Sequence, residues 1–314
     1  MRGRGRVLHI FLLLPVLASA LGCVAGPAGT PFDGARAHAD AQTIVEFGPR
    51  HPGSTASKAT REYIRRQVEP IGLSAHEYSF TAKTPIGPVT MTNVWVEIPG
   101  TLPGVIVIGN HYDTKVLPDF RFDGANDGAS TNGWMIEFAR AIGPRREGHT
   151  LWLCWFDGEE SYGEWSETDG LYGSKAMVAR LQSEGRLRDV RAMINVDMIG
   201  DCDLDVHRDT GAPQWLVDAI WDGARRSGHA RSFPMYRDIS IEDDHTPFRE
   251  AFIPSIDLID FRYGGSAVEH QMNWHTTRDR MERVCAESLQ AVGDAVLTAL
   301  PAIDAELAQR TPAG

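Results

Sequence analysis

Cysteine is scarce in these 314 residues: four are present, Cys23, Cys154, Cys202 and Cys285. None has the spacing of a thiolate zinc site. Cys23 belongs to the N-terminal segment, and the odd number left predicts at most one disulfide. Long hydrophobic runs are lacking too. The stretch from Val7 to Ala20 is the main apolar run, and it is too short and too interrupted by Pro15 to read as a spanning helix. Positive charge is short: 31 Lys and Arg face 42 Asp and Glu, a formal net charge of -11. Discounting Arg2, Arg4 and Arg6 of the leader takes the remainder to about -14, which argues against nucleic acid or an anionic membrane as partner, since both need a basic surface. No internal repeat is evident.

What is present describes an enzyme-sized globular protein. Hydrophobic residues at 42% and charged residues at 23% are ordinary for a packed domain and exclude a disordered or fibrous chain. Residues 1–22 read as an export signal, with basic residues before an apolar stretch and the small-residue run Ala18-Ser19-Ala20 as a cleavage site. Ala20-Leu21-Gly22-Cys23 is an imperfect lipobox that makes Cys23 a candidate for lipid attachment, and an uncleaved anchor is a third reading. The expected location is therefore periplasmic, secreted or lipid-anchored, with membrane contact only through Cys23. Residues 23–38, rich in Gly, Ala and Pro, read as a flexible tether, and 39–314 as one catalytic domain.

Three short apolar runs, Val105 to Ile108, Leu151 to Phe156 and Ala192 to Val196, have the length and composition of buried strands. Helical patterns lie between and around them: from Ser54 to Val68 with Pro70 as a stop, Trp134 to Ile142, Gly173 to Leu181, and a last one with Leu289, Val292, Val296 and Leu300 on one face. Strands alternating with helices predict a three-layer α/β/α fold with a mostly parallel central sheet. Ligands in such folds bind beyond the carboxyl ends of the strands.

That is where the polar residues fall. The first run leads into Gly109-Asn110-His111-Tyr112-Asp113, the second into Asp157-Gly158-Glu159-Glu160, the third into Asp197-Met198. With Asp127 and His275 these form a set of imidazoles and carboxylates without thiolate, suited to catalytic zinc. A lone Asp after a strand is more often a turn or cap residue. Gathered carboxylates repel, and a divalent cation offsets that cost. Adjacent side chains on a loop point apart, so one of Glu159 and Glu160 can hold metal while the other transfers protons.

Gly109-Asn110-His111-Tyr112-Asp113, Gly124-Ala125-Asn126-Asp127, Phe156-Asp157-Gly158-Glu159-Glu160 and Trp274-His275-Thr276 together resemble the zinc aminopeptidase-like clan. The stretch from Glu164 to Ser174, with its Trp165-Ser166 and Leu171-Tyr172-Gly173-Ser174, is similar to the animal-type glutaminyl-peptide cyclotransferases. So are Gly48 to Ser54 and Glu242-Asp243-Asp244-His245-Thr246-Pro247-Phe248. The resemblance implies one zinc per chain on Asp127, Glu160 and His275, with Glu159 as general acid/base and Asp197 and Asp243 as supporting catalytic carboxylates. It also implies a glutamine pocket walled by Trp165 and Trp274 with His245 beside it, peptides or proteins with N-terminal Gln as substrates, and a monomer. Glu242 stands where the animal enzymes usually have Gln. Residues 261–273 look longer than their counterpart, and the animal active-site disulfide is missing because Asn110 precedes His111. Aminopeptidase action with a second zinc on His111, Asp127 and Asp197 is the alternative, and a non-catalytic binding module on the same fold is a third reading.

Overall fold

The three apolar runs become the middle of a six-stranded sheet. In the computed structural model, which describes residues 30–265 and 272–310, they extend to β3 (Leu102–His111), β4 (His149–Phe156) and β5 (Val190–Asp197). The strand order is β1-β2-β4-β3-β5-β8, with β1 spanning Ala75–Thr84, β2 Gly87–Ile98 and β8 Ser255–Ile259. Strands β4, β3, β5 and β8 run parallel, whereas β2 is antiparallel to both β4 and β1. The hairpin β1–β2 adds an antiparallel margin that the sequence reading did not place. A second, two-stranded parallel ladder joins β6 (Arg208–Asp209) to β7 (Asp238–Ile239).

Side chains alternate across a strand, so a strand buried on both faces feeds two cores. Ile106 and Ile108 of β3, with Leu151, Leu153 and Trp155 of β4, face the larger core. Val105 and Val107, with Trp152, Cys154 and Phe156, face the smaller one. The larger core is closed by α1 (Gly34–Glu46), α2 (Thr55–Val68), α3 (Thr131–Ile142), α5 (Gln214–Arg226) and α7 (Ala286–Arg310). The smaller is closed by Met177, Val178 and Leu181 of α4 (Tyr172–Ser183) and Phe248 of α6 (Thr246–Glu250). The α/β/α layering is as expected, and Ser54 caps α2 by accepting the Ser57 N–H.

The folded domain begins before Ala39. Asp33 caps α1, accepting the N–H groups of Ala35 and Arg36, and Phe32 is buried against Trp134 with ring centroids 6.0 Å apart. The Gly/Ala-rich composition hid an apolar anchor, so the tether as expected, 23–38, overran the start of the fold. The leader, Cys23 and residues 266–271 lie outside the described residues. Cys202 and Cys285 form a disulfide and Cys154 is free and buried, within the limit set by the cysteine count. Among the described residues no helix is long and apolar enough to cross a membrane.

Candidate metal centre and active site

The carboxyl ends of the parallel strands lie along one edge of the sheet, and the acidic loops converge there. His111 is the last residue of β3, and Asp197 the last of β5. Their side chains meet with His111 Nε2 3.2 Å from Asp197 Oδ1 and 3.3 Å from Asp127 Oδ1. Asp127 sits in an irregular turn, Ala125–Ser130, where its own ψ of 87° and the φ of 99° at Gly128 break the helical path. A positive φ favours glycine, and a Cβ at Gly128 would also lie 3.2 Å from the His111 ring.

Asp127 is shared between two groups. Its Oδ2 lies 3.2 Å from His275 Nε2, which in turn is 3.0 Å from Glu160 Oε1. Asp127, Glu160 and His275 each offer a ligand atom within 4.8 Å of the others, and so do His111, Asp127 and Asp197. The buried Asp127 Oδ2 makes no hydrogen bond. Two carboxylates and one imidazole, with Asp127 Oδ2 buried and held only by its ion-pair contact with His275, fit a catalytic zinc that keeps one position open. The Asp127–Glu160–His275 group lines a cavity of about 440 Å³, whereas His111 does not reach it.

Glu159 and Glu160 follow β4 through Gly158, whose φ is 70° and where a Cβ would lie 2.5 Å from Met91 Sδ. Asp113 fixes their backbone, its carboxylate accepting the Glu159 N–H at 3.0 Å and the Glu160 N–H at 3.3 Å, with Oδ1 3.6 Å from His111 Nδ1. Asp279 does the same for Asp127: it accepts the Asn126 and Asp127 N–H groups at 2.8 and 3.2 Å and the Tyr263 hydroxyl at 2.8 Å. Fully buried Arg50 donates to the carbonyls of Tyr112, Asp123 and Gly124 at 2.9, 2.7 and 2.9 Å, tying the loop ahead of Asp127 to β3. Neither Arg50 nor Asp279 stood out from the sequence. The spacing His275-Thr276-Thr277-Arg278-Asp279, close behind a candidate ligand histidine, was the available signal for Asp279.

The electrostatics separate the two glutamates. Burial, then the neighbouring Glu160, pushes the Glu159 carboxyl well above its ordinary 4.5. Glu160 is raised by burial and Asp127, with His275 opposing. Burial would lower His275, but Glu160 and Asp127 outweigh it and raise it to about 10. Burial would raise Asp127, yet its close contacts with the His111 and His275 imidazoles hold it well below the usual carboxylate range. Asp197 is raised by burial with His111 opposing, and Asp243 is pushed well up by burial followed by Asp257 and Asp197.

The cavity collects most of the expected residues: Asp127, Glu159, Glu160, Asp197, Asp243 and His275, with Trp165 and Trp274 as apolar walls. Trp274 stacks on His275, and Phe261 meets Trp274 edge-on with centroids 5.3 Å apart. Lys115 also faces the cavity, 3.7 Å from Glu160 Oε2 and hydrogen-bonded to Ser161. His245 is the exception. It is fully buried behind the wall, 3.6 Å from Asp209 Oδ2, and burial lowers it to about 3. Its neighbours Asp243 and Asp244 are loop residues, and His245, the residue that precedes α6, turns into the protein.

This fold and site define an α/β protein of the zinc aminopeptidase-like class. Residues 93–300 match the model of peptidase family M28. A glutaminyl cyclase from an Acidobacteriales bacterium is 34% identical, with a TM-score of 0.82 over 90% of this chain and 98% of that one. The glutaminyl-peptide cyclotransferase of Bos taurus is 28% identical over 75% of this chain and 73% of its own length. A Zn-dependent exopeptidase from Parabacteroides distasonis is 25% identical, with a TM-score of 0.76 over 88% of this chain and 99% of that one. The chain belongs to peptidase family M28 and, within it, to the glutaminyl cyclases.

Proposed function

We propose that the chain converts N-terminal glutamine of peptides or proteins into pyroglutamate with release of ammonia, using one zinc on Asp127, Glu160 and His275. The observation that carries this is the cavity itself, in which those three side chains meet Glu159 between two indole walls. The reaction is intramolecular. The α-amine attacks the side-chain carbonyl carbon, a C–N bond closes the five-membered ring, and the bond to the leaving nitrogen breaks. Zinc bound there supplies Lewis acidity to the side-chain carbonyl. Glu159 takes a proton from the α-amine and returns it to the departing ammonia, a task suited to a carboxyl raised from its ordinary value. Asp197 and Asp243 support it from the same cavity, since a carboxylate neighbour favours the protonated form. Trp165 and Trp274 surround the glutamine side chain with apolar surface, which keeps water from competing with the amine.

The Asp127–Glu160–His275 group is preferred over His111–Asp127–Asp197 because all three of its residues line the cavity, whereas His111 of the other group does not. His111 Nε2 already lies between Asp127 and Asp197, at 3.3 and 3.2 Å. Zinc stoichiometry measured beside two substrates tests the reading. One zinc with ammonia from a Gln-initiated dipeptide supports cyclisation. Two zincs with release of an apolar N-terminal residue would establish aminopeptidase action instead, and neither activity would leave a binding module.

A further inference from the structure

The cavity mouth carries a fixed negative charge that the cyclisation chemistry does not use. Glu242 lines the cavity and is exposed, and its Oε2 accepts a hydrogen bond from Trp165 Nε1 at 3.3 Å. That bond joins two loops 77 residues apart in sequence, one following β4 and the other leading into α6. It therefore holds the carboxylate in place over the mouth. No Lys, Arg or His among the described residues pairs with Glu242, whereas Lys115, the cation deeper in the cavity, is engaged by Glu160 and Ser161. A substrate whose first side chain fills the cavity must lead its second residue out across this rim.

We propose that Glu242 is a specificity-determining residue that reads the second residue of the peptide, favouring Lys or Arg there and disfavouring Asp or Glu. The proposal rests on the cyclase reading above. The physical basis is Coulombic: an exposed carboxylate attracts a cation and repels an anion only modestly in water, so the discrimination is several-fold and falls with salt. The net charge of -11 acts in the same direction but without position, as a steering field felt by any cationic peptide. The two contributions are separable, because removing one rim charge barely changes the net charge.

The test compares kcat/KM for ammonia release from amidated Gln-Lys, Gln-Leu and Gln-Glu peptides in the parent, Glu242→Gln and Glu242→Lys, at low and high ionic strength. In the parent at low salt, Gln-Lys should exceed Gln-Glu by about 3- to 10-fold. Glu242→Gln should lower that ratio towards the smaller preference left by the net charge, Glu242→Lys should lower it further, and high salt should compress it in the parent. An equal ratio in all three proteins, with good turnover, would overturn the role of Glu242 and leave the cyclase reading standing. Absence of ammonia from every peptide would overturn the cyclase reading itself.

Discussion

The indole of Trp274 stacks on the imidazole of its neighbour His275, with centroids 3.9 Å apart and planes 20° from parallel. Phe122 meets the same imidazole edge-on at 5.7 Å. His275 also has a φ of 51°, a left-handed conformation that a non-glycine residue adopts only when its surroundings hold it. This aromatic packing aims His275 as a candidate zinc ligand. His275→Ala should therefore remove both bound zinc and ammonia release, while the fold, read by far-ultraviolet circular dichroism, persists. Zinc retained in that variant would place the metal elsewhere.

Trp165 is the wall that can be removed without touching a ligand. Trp165→Ala should leave zinc content unchanged and reduce kcat/KM for Gln-peptides by roughly tenfold, the effect of losing about 1.4 kcal/mol of apolar contact. Steady-state kinetics beside metal analysis reads both quantities. An unchanged kcat/KM would mean that the glutamine side chain lies elsewhere.

Zinc binding should release protons. Once the chain is stripped of metal, His275 is raised to about 10 and is protonated at neutral pH, so a ligand nitrogen must lose its proton before it binds. The sign is fixed: apparent zinc affinity rises as pH is raised from about 7 towards 10, then levels off. Calorimetric titrations in buffers of different ionisation enthalpy count the protons. A pH-independent affinity across that window would contradict the placement of His275 against Glu160 and Asp127.

The disulfide between Cys202 and Cys285 closes a span of 83 residues that includes Asp243 and His275. Such a link limits the unfolded chain more than it shapes the native one, and its removal by paired Ser substitution should cost about 4 kcal/mol. The shift in urea midpoint measures this.

Much of this was legible in the sequence because strands buried on both faces are continuous apolar runs, and three such runs end in His111, Glu159-Glu160 and Asp197. The hairpin β1–β2 was harder to see. β1 alternates exposed and half-buried residues, Glu77, Tyr78, Ser79 and Phe80 among them, and no apolar run marks it. His245 was misplaced because adjacency to Asp243 says nothing of direction: Asp243 lines the cavity while His245, at the start of the turn into α6, is buried away from it. Arg50 and Asp279 act through backbone groups of distant loops, a kind of contact that leaves no local pattern. Asp127 stood out as a candidate ligand, but its sharing between two groups depends on the non-helical turn at Asp127-Gly128, which only the fold reveals.

The division of labour between Glu159 and Glu160 is the centre of the account, and the amide variants test it most directly. Glu159→Gln is nearly isosteric and removes the group that carries the proton from α-amine to ammonia. It should lower kcat by about 10² or more with zinc content and folding intact. Glu160→Gln should instead lose zinc first and activity in consequence. Turnover of Gln-peptides by zinc-replete Glu159→Gln at near the parent rate would contradict the assignment and move the proton transfer to Asp197 or Asp243.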